Sequence, residues 1–253
     1  MSEGSTVDVT VVIAARDEAA NIVACIESVR WAREILVVEN DSTDDTVELA
    51  RRAGATVFSR PFTTIGGQRN AAFGRAASEW ILVVDADERA TEALATEIQR
   101  TIASPTFDAY RVPRRNFFLG REIRHGGWET AKPVRLVRRE MRYNSSRVHE
   151  HIDVAGPVGE LSEPLIHYTY TTLSQYFEKL GRYSEWWAKD RFERGRRAGI
   201  ASVLLRPPAR FFSMYVMRSG WMDGAAGLIV ALLGSVSVLS KYAALWALGD
   251  KRN

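Results

Sequence analysis

Trp80-Ile81-Leu82-Val83-Val84-Asp85-Ala86-Asp87 decides how the first half of this chain is read. An apolar run of this kind suits a strand buried on both faces. Two carboxylates flank a small residue where that strand ends, so both can turn toward one point. Outward from it the same unit recurs. Val9–Ala15, Ile35–Val38 and Thr56–Phe58 read as further strands. Asp17-Glu18 opens a helix with apolar positions at Ile22, Ile26 and Val29. Asp41–Asp45, rich in N-cap residues, leads into a helix through Val47 and Leu49 that Gly54 ends. Gly66-Gly67 precedes a helix through Ala71, Ala72 and Ala76, and Thr91–Ile102 is a fourth. Strands alternating with helices predict right-handed βαβ crossovers and a mostly parallel α/β sheet. Such sheets bind ligands at the carboxyl ends of their strands. Arg16-Asp17-Glu18, Glu39-Asn40-Asp41 and Asp85-Ala86-Asp87 all fall there. Acids gathered at one edge need solvent, or a positive or hydrogen-bond-donating group between them.

Composition narrows the class. Of 253 residues, 46% are hydrophobic and 26% charged, which excludes a disordered chain, a collagen-like fibre and a disulfide scaffold. The single cysteine, Cys25, forms no internal bridge, which points to a reducing compartment. It falls on the apolar side of the first helix and reads as core rather than nucleophile. Met1–Thr6 has neither a basic start nor an apolar core, so no secretory signal is expected. Net charge is uneven. Residues 1–110 hold 10 Lys/Arg and 18 Asp/Glu, a balance of −8; the remainder hold 24 and 13, a balance of +11. The acidic first half argues against nucleic acid as a partner. The basic second half suits ligand phosphates, anionic lipid heads or simply solvated helix faces.

Asp85 and Asp87 are hard oxygen ligands of the kind that hold Mg²⁺ or Mn²⁺ together with substrate phosphates. Read alone, an Asp-x-Asp is equally an N-cap for the next helix. For Asp41 or Ser42, capping is the preferred reading.

Several motifs in order carry a resemblance: Val12–Glu18, Val37–Thr46, Gln68-Arg69-Asn70 and Val83–Glu88, then Arg114–Gly120, His125-Gly126-Gly127-Trp128, Arg135-Leu136, Val148-His149-Glu150 and Leu173–Tyr176. Together they resemble the family 2 glycosyltransferases of the GT-A fold, in the branch that adds glucose to the lipopolysaccharide inner core in β-1,4 linkage. The resemblance implies a Rossmann-like sheet with helices on both faces and a UDP-sugar donor. Ala14, Ala15 and Glu18 would lie beside the nucleoside. Glu39 stands where the family usually carries an aspartate that hydrogen-bonds uracil. Arg69 and Asn70 would lie near the diphosphate or base. Asp85, Ala86 and Asp87 would meet ribose and donor, with the two aspartates on a bridging Mg²⁺ or Mn²⁺. His125, Trp128, Arg135 and His149 would contact acceptor or sugar. Two departures stand out: Asp17-Glu18 where many members have Asn-Glu, and Glu129-Thr130-Ala131-Lys132 where the branch often has Tyr-Pro-Asp.

An inverting transfer needs a base for the attacking hydroxyl. Glu150, between His149 and His151 and carried over from the resembling tripeptide, is the first candidate; Glu129 is the second. Neighbouring histidines and Arg147 would hold Glu150 ionised. The same histidines also suit a metal, although further ligands are not evident nearby.

Leu173–Arg197 reads as a helix with Tyr176, Phe177, Leu180, Tyr183 and Trp187 on one broad face. Arg206-Pro207-Pro208 reads as a break, and Phe211–Met217 as an interfacial helix among basic residues. Residues 224–240 carry no charge, just under the length a bilayer crossing needs. The expected organisation is therefore a GT-A catalytic domain over 1–170 and a membrane-interfacial helical region over 171–253. The expected activity is hexosyl transfer to a saccharide-lipid at the inner leaflet, on the cytoplasmic face of the inner membrane. Two alternatives are a nucleotidyltransferase, which Ala14-Ala15-Arg16-Asp17-Glu18 disfavours because that loop is not glycine-rich, and a non-catalytic nucleotide- or lipid-binding membrane scaffold.

Overall fold

The computed structural model describes residues 6–128, 132–144 and 151–250. The chain forms two compact units, residues 1–114 with 132–167, and residues 115–131 with 168–253. The expected cut after residue 170 falls near the last crossing. The segment 115–131, however, belongs with the C-terminal helices, which a division along the sequence could not show.

The first unit follows the alternation read from sequence. β1 (Val7–Ala15), α1 (Ile22–Ser28), β2 (Ala32–Glu39), α2 (Thr46–Arg52), β3 (Thr56–Ser59), α3 (Ile65–Phe73) and β4 (Trp80–Asp85) build parallel strands in the order β3-β2-β1-β4. After β5 (Glu88–Arg89), α4 (Glu92–Ala103), β6 (Ala109–Arg111), β7 (Arg114–Phe118), β8 (Arg121–Ile123), β9 (Val134–Arg138) and β10 (Gly159–Glu160), the chain reaches β11 (Leu165–Tyr170). β9 inserts antiparallel between β4 and β6, and β10 adds parallel to β6, completing a seven-stranded sheet. Ile166 and His167 of β11 pair antiparallel with Arg89 and Glu88 of β5.

Side chains alternate across the sheet, and both faces are covered. Val11, Ile13, Leu82 and Val84 pack with Ile22, Ile26, Leu94 and Ile98 on one side. Val12, Ile81 and Val83 pack with Ala72 and Phe73 on the other. Burial on both faces is why these strands read as unbroken apolar runs rather than as alternating ones. Register then fixes the edge: Ala14 lies opposite both Val38 and Asp85, and Ala15 opposite Glu39. Cys25 is fully buried, and burial pushes its thiol pKa up, as its core assignment required.

In the second unit β7 and β8 form a hairpin whose turn, Leu119-Gly120, takes φ of 48° and 75°. α5 (Leu173–Glu193) is N-capped by Thr172, whose side chain accepts from Gln175 N–H. α6 (Ile200–Phe212) runs into a π-helical turn (Ser213–Met217), a 3₁₀ turn (Gly220–Asp223) and α7 (Gly224–Asp250). Pro207 and Pro208 do not break the chain: both sit inside α6. Proline φ fits a helix, and the Ser235 hydroxyl of α7 donates to Pro207 O at 2.8 Å, a bond between the two helices. Phe211–Met217 is correspondingly the last turn of α6 plus the π turn, not a separate helix. The Asp223 carboxylate accepts the N–H groups of Arg124 and His125, and Gly126 N–H donates to Arg218 O. These bonds, with the Phe118, Tyr176, Met214, Val230 and Ala231 cluster, explain why 115–131 joins this unit.

Gly227 marks the tightest backbone approach. A Cβ there would lie 1.8 Å from Gly220 O. Gly227→Ala therefore forces the 3₁₀ turn off α7. It should lower stability by about 1–3 kcal/mol, read as a fall in urea midpoint. An unchanged midpoint would contradict this packing.

Candidate active site

The carboxyl edge of the first unit is built in two parts. The first is a pair of loops, after β1 and after β2, stitched together by polar bonds. Asp17 Oδ1 accepts from Thr43 N–H (2.8 Å) and from its hydroxyl (3.1 Å). Glu18 N–H donates to Thr46 Oγ1 (2.8 Å), and Ala19 N–H donates to Asp44 (3.0 Å). Asp17 and Asp41 take left-handed φ of 52° and 51°, which aspartate tolerates better than most residues. The cap of α2 departs from the reading of Asp41 or Ser42. The helix begins at Thr46 with Asp45 as its N-cap, which makes no side-chain cap bond, while Asp44, one residue earlier, accepts from Thr46 N–H (3.0 Å). Ser42 instead gives its N–H to Glu39, at 3.2 Å. That contact anchors a carboxylate that is 5% exposed at the end of β2. The Glu18 carboxylate accepts from the Asn21 side chain at 2.8 Å.

The second part centres on Asp85. Its Oδ1 accepts from Arg69 (2.6 Å) and Arg135 (3.3 Å), and its Oδ2 from Arg114 (2.9 Å) and again Arg135. Four N–H groups occupy the four lone-pair positions of one carboxylate. Beneath it Glu88 is fully buried. It accepts the Asp85 N–H (2.8 Å) and an Arg135 N–H (3.1 Å), and Arg114 Nε lies 2.5 Å away as an ion pair without hydrogen-bond alignment. Burial would raise the Asp85 pKa, but Arg135, Arg69 and Arg114 outweigh it and hold the carboxyl well below the usual range. The same carboxylates hold the Arg135 guanidinium firmly charged against its own burial. Three guanidinium groups over two carboxylates leave this cluster one positive charge in excess.

Neither aspartate caps the next helix, since α4 is capped by Thr91, which accepts from Leu94 N–H. The joint metal site expected of Asp85 and Asp87 takes a different form, because the oxygens of Asp85 are filled by arginine. Asp87 instead faces His167: Oδ1 and Nε2 are 3.6 Å apart, beyond hydrogen-bond reach, with both side chains largely shielded. A carboxylate and an imidazole at that separation fit one Mn²⁺ or Mg²⁺ whose other ligands are phosphate oxygens and water. Among the described residues no cluster offers three or more metal-ligating side chains, so the remaining ligands would come from substrate. Asp87 and His167 are the side chains that would hold such a cation, since the oxygens of Asp85 are taken up by arginine.

Other expected residues are placed as follows. Arg69 and Arg135 reach Asp85, and Arg135, 3% exposed, sits in this buried cluster rather than on an acceptor-facing surface. Asn70 gives its amide to Tyr143 O (2.9 Å) and accepts Tyr143 N–H (2.8 Å), a brace between α3 and the chain after β9. Ala86 is buried in the core. His125 and Trp128 belong to the second unit. There His125 Nδ1 pairs with Asp223 at 2.9 Å, and Trp128 packs edge-on against Phe118 while its carbonyl accepts from Asn116. Glu129, His149 and Glu150 lie outside the described residues. Glu88, Arg114 and His167 were not read as site residues. Glu88 follows the Asp-Ala-Asp directly and Arg114 heads a quoted motif, so both had a local signal. His167 had none, because only the β5–β11 pairing brings it near Asp87.

The two aspartates should therefore separate in experiment. Asp85→Asn leaves buried guanidinium groups short of a counter-charge and should cost about 3–5 kcal/mol, read as a lowered Tm. Asp87→Asn should leave Tm nearly unchanged. Because the folded pKa of Asp85 is depressed, its stabilisation is present above the unfolded value of about 4 and is lost as pH falls through the folded value. The Tm gap between wild type and Asp85→Asn should thus hold at neutral pH and narrow in strong acid.

Residues 10–157 match the model of glycosyl transferase family 2. The chain is 30% identical over 229 residues to the lipopolysaccharide core biosynthesis glycosyltransferase LpsC of Rhizobium meliloti, covering 87% of this chain and 85% of that protein. It is 28% identical over 236 residues to an uncharacterized glycosyltransferase of Rickettsia felis, covering 87% and 83%. Among solved structures, glucosyl-3-phosphoglycerate synthase from Mycobacterium tuberculosis, crystallised with Mn²⁺, UDP and glucosyl-3-phosphoglycerate, superposes with a TM-score of 0.38 at 22% identity, over 44% of this chain and 45% of that one. With the family model spanning more than half the chain and a relative matched along most of its length, the protein belongs to glycosyl transferase family 2.

Proposed function

We propose that this chain transfers glucose from UDP-glucose to a hydroxyl of a membrane-attached saccharide of the lipopolysaccharide inner core, with inversion at the anomeric carbon. The observation that carries the donor half is the Asp87–His167 pair, set at the carboxyl edge of β4 beside a cluster with one excess positive charge. Asp87 and His167 would hold a divalent cation there, and the chemistry it would supply is positive charge toward the leaving diphosphate. The chain's own residues do the rest. Glu39, with one oxygen anchored by Ser42 N–H, offers its other oxygen to a donor N–H of the base. Asp17, Glu18 and Thr46 hold the two loops at a fixed spacing around the nucleoside. The excess charge of Arg69, Arg114 and Arg135 favours the leaving diphosphate more as its charge grows than in the bound donor. Glu150, by its place in the resembling tripeptide, takes the proton of the attacking hydroxyl.

The acceptor half of the reading rests on the LpsC relationship and on α7. Gly220–Gly249 is long and apolar enough to cross a membrane, and only 17% of its most apolar window is buried. One such helix is weak evidence alone. With the neighbouring exposed apolar side chains it supports a peripheral enzyme on the cytoplasmic face of the inner membrane.

Titration calorimetry with UDP should show binding that strengthens with Mn²⁺, and a panel of UDP-sugars with core-truncated lipopolysaccharide, read by mass spectrometry, identifies donor and acceptor. Asp87→Ala and His167→Ala should each remove the Mn²⁺ enhancement and abolish transfer with Tm preserved. Glu150→Gln should keep UDP affinity and slow transfer by about a hundredfold or more. If Glu129→Gln does so instead, the base is Glu129. UDP binding indifferent to Mn²⁺ together with no transfer would favour the scaffold alternative.

A further inference from the structure

The shielded arginines at the carboxyl edge of the first unit find carboxylates, Arg69, Arg114 and Arg135 on Asp85 and Glu88. The α6–α7 pair in the second unit differs. Arg206 and Arg210 lie four residues apart in α6 and share a helix face, a like-charge spacing that costs stability. Arg206 stacks over the Tyr242 ring of α7 at 4.7 Å, next to Lys241. Arg210 Nε reaches 4.0 Å from where a side chain at Gly234 of α7 would begin, so its stem lies along that helix. The Arg218 side chain lies over Gly127, where a Cβ would be 2.2 Å from its terminal nitrogen. Among the described residues no carboxylate pairs with Arg206, Arg210, Arg218 or Lys241. Burial lowers the pKa of both Arg210 and Lys241, and the nearest charges lower them further: Arg218 acts on Arg210, and Arg210 on Lys241.

The same helices and the turns that join them also expose apolar side chains. Ile200, Leu204, Leu205, Met217, Trp221 and Met222 are each more than half exposed. A row of mutually repelling cations on such a surface is stable if an anion with an apolar body covers both. We propose that the α6–α7 pair is a binding site for an anionic phospholipid, its phosphate held by Arg206, Arg210 and Lys241 and its acyl chains against the exposed leucines and methionines. Charge complementarity selects this occupant. A protein partner would need a carboxylate array set in an apolar face, whereas a bilayer surface presents phosphate and hydrocarbon at that spacing without design. This goes beyond the transfer reaction, and its test reads binding alone, so failure here leaves glycosyl transfer standing.

The test is vesicle flotation of the full chain on phosphatidylcholine alone and with added phosphatidylglycerol. Wild type should prefer the anionic vesicles. Arg210→Gln with Lys241→Gln should weaken that binding about 25-fold, roughly fivefold per cation, while binding to phosphatidylcholine is unchanged. Arg210→Lys with Lys241→Arg should retain the preference, which separates charge from misfolding. Arg51→Gln with Arg52→Gln, removing equal charge from α2, should change binding by no more than about twofold. The proposal is overturned if the Arg210/Lys241 double variant keeps the anionic preference, or if the α2 control loses as much. Displacement from vesicles by inorganic phosphate at matched ionic strength would assign the site to a soluble phosphate ester and overturn it as well.

Discussion

The carboxyl edge of the first unit's sheet depends on one carboxylate shared among three guanidinium groups. Asp85 ends β4, while Arg69, Arg114 and Arg135 come from α3, the start of β7 and β9. None is near Asp85 in sequence, so this edge exists only once the sheet has closed. Taking five charges out of water costs several kcal/mol per ion, recovered only where every oxygen and most N–H groups find partners. Arginine suits this position because its planar fork lets Arg135 reach both oxygens of Asp85 and one of Glu88, which a lysine point charge could not do. The outcome divides labour within one tripeptide. Asp85 is immobilised as structure, and Asp87, two residues on, faces His167 instead.

Much of this was legible in the sequence. Buried parallel strands announce themselves as apolar runs, and β1 to β4 with the four helices of the first unit follow in the order the pattern set, although α1 begins at Ile22 rather than at Asp17-Glu18 and α3 takes in Gly66 and Gly67 and ends before Ala76. The carboxyl-edge clusters followed from strand polarity alone. What the pattern could not carry was partnership. An Asp-x-Asp gives no hint that one aspartate is saturated by arginine, because the three arginines lie up to 50 residues away in sequence. Asn70 sits beside Arg69, yet it braces Tyr143, a contact across 73 residues. His167 becomes relevant only through the antiparallel pairing of two short strands. Pro207-Pro208 misled for the opposite reason: the local rule against proline in a helix is sound, but the Ser235 bond and packing against α7 outweigh it.

The opposed charge of the two halves also finds its meaning. In the first unit acids at the carboxyl edge are engaged by backbone N–H groups of the stitched loops and by buried arginines. In the second unit the arginines of α6 have no such acids. Salt-bridge counts would miss the distinction, because surface pairs contribute little wherever they occur.

The geometry of α7 bears on how the proposed lipid contact would be made. At 27 residues the helix is about 40 Å long, more than the roughly 30 Å of a hydrocarbon core, so length permits a crossing. Its neighbour does not. α6 packs along α7, and Ser235 is bonded to Pro207, so α7 cannot enter the bilayer alone without breaking that bond. Carrying α6 with it would bring Arg206 and Arg210 into hydrocarbon with no carboxylate to meet them, at a cost of about 2.5 kcal/mol or more each. Lying in the interface, the same two arginines reach headgroup phosphates while Leu204 and Leu205 remain in contact with acyl chains. The pairing of the helices, rather than the hydropathy of either, therefore favours a helical pair that lies in the membrane surface over one that spans it.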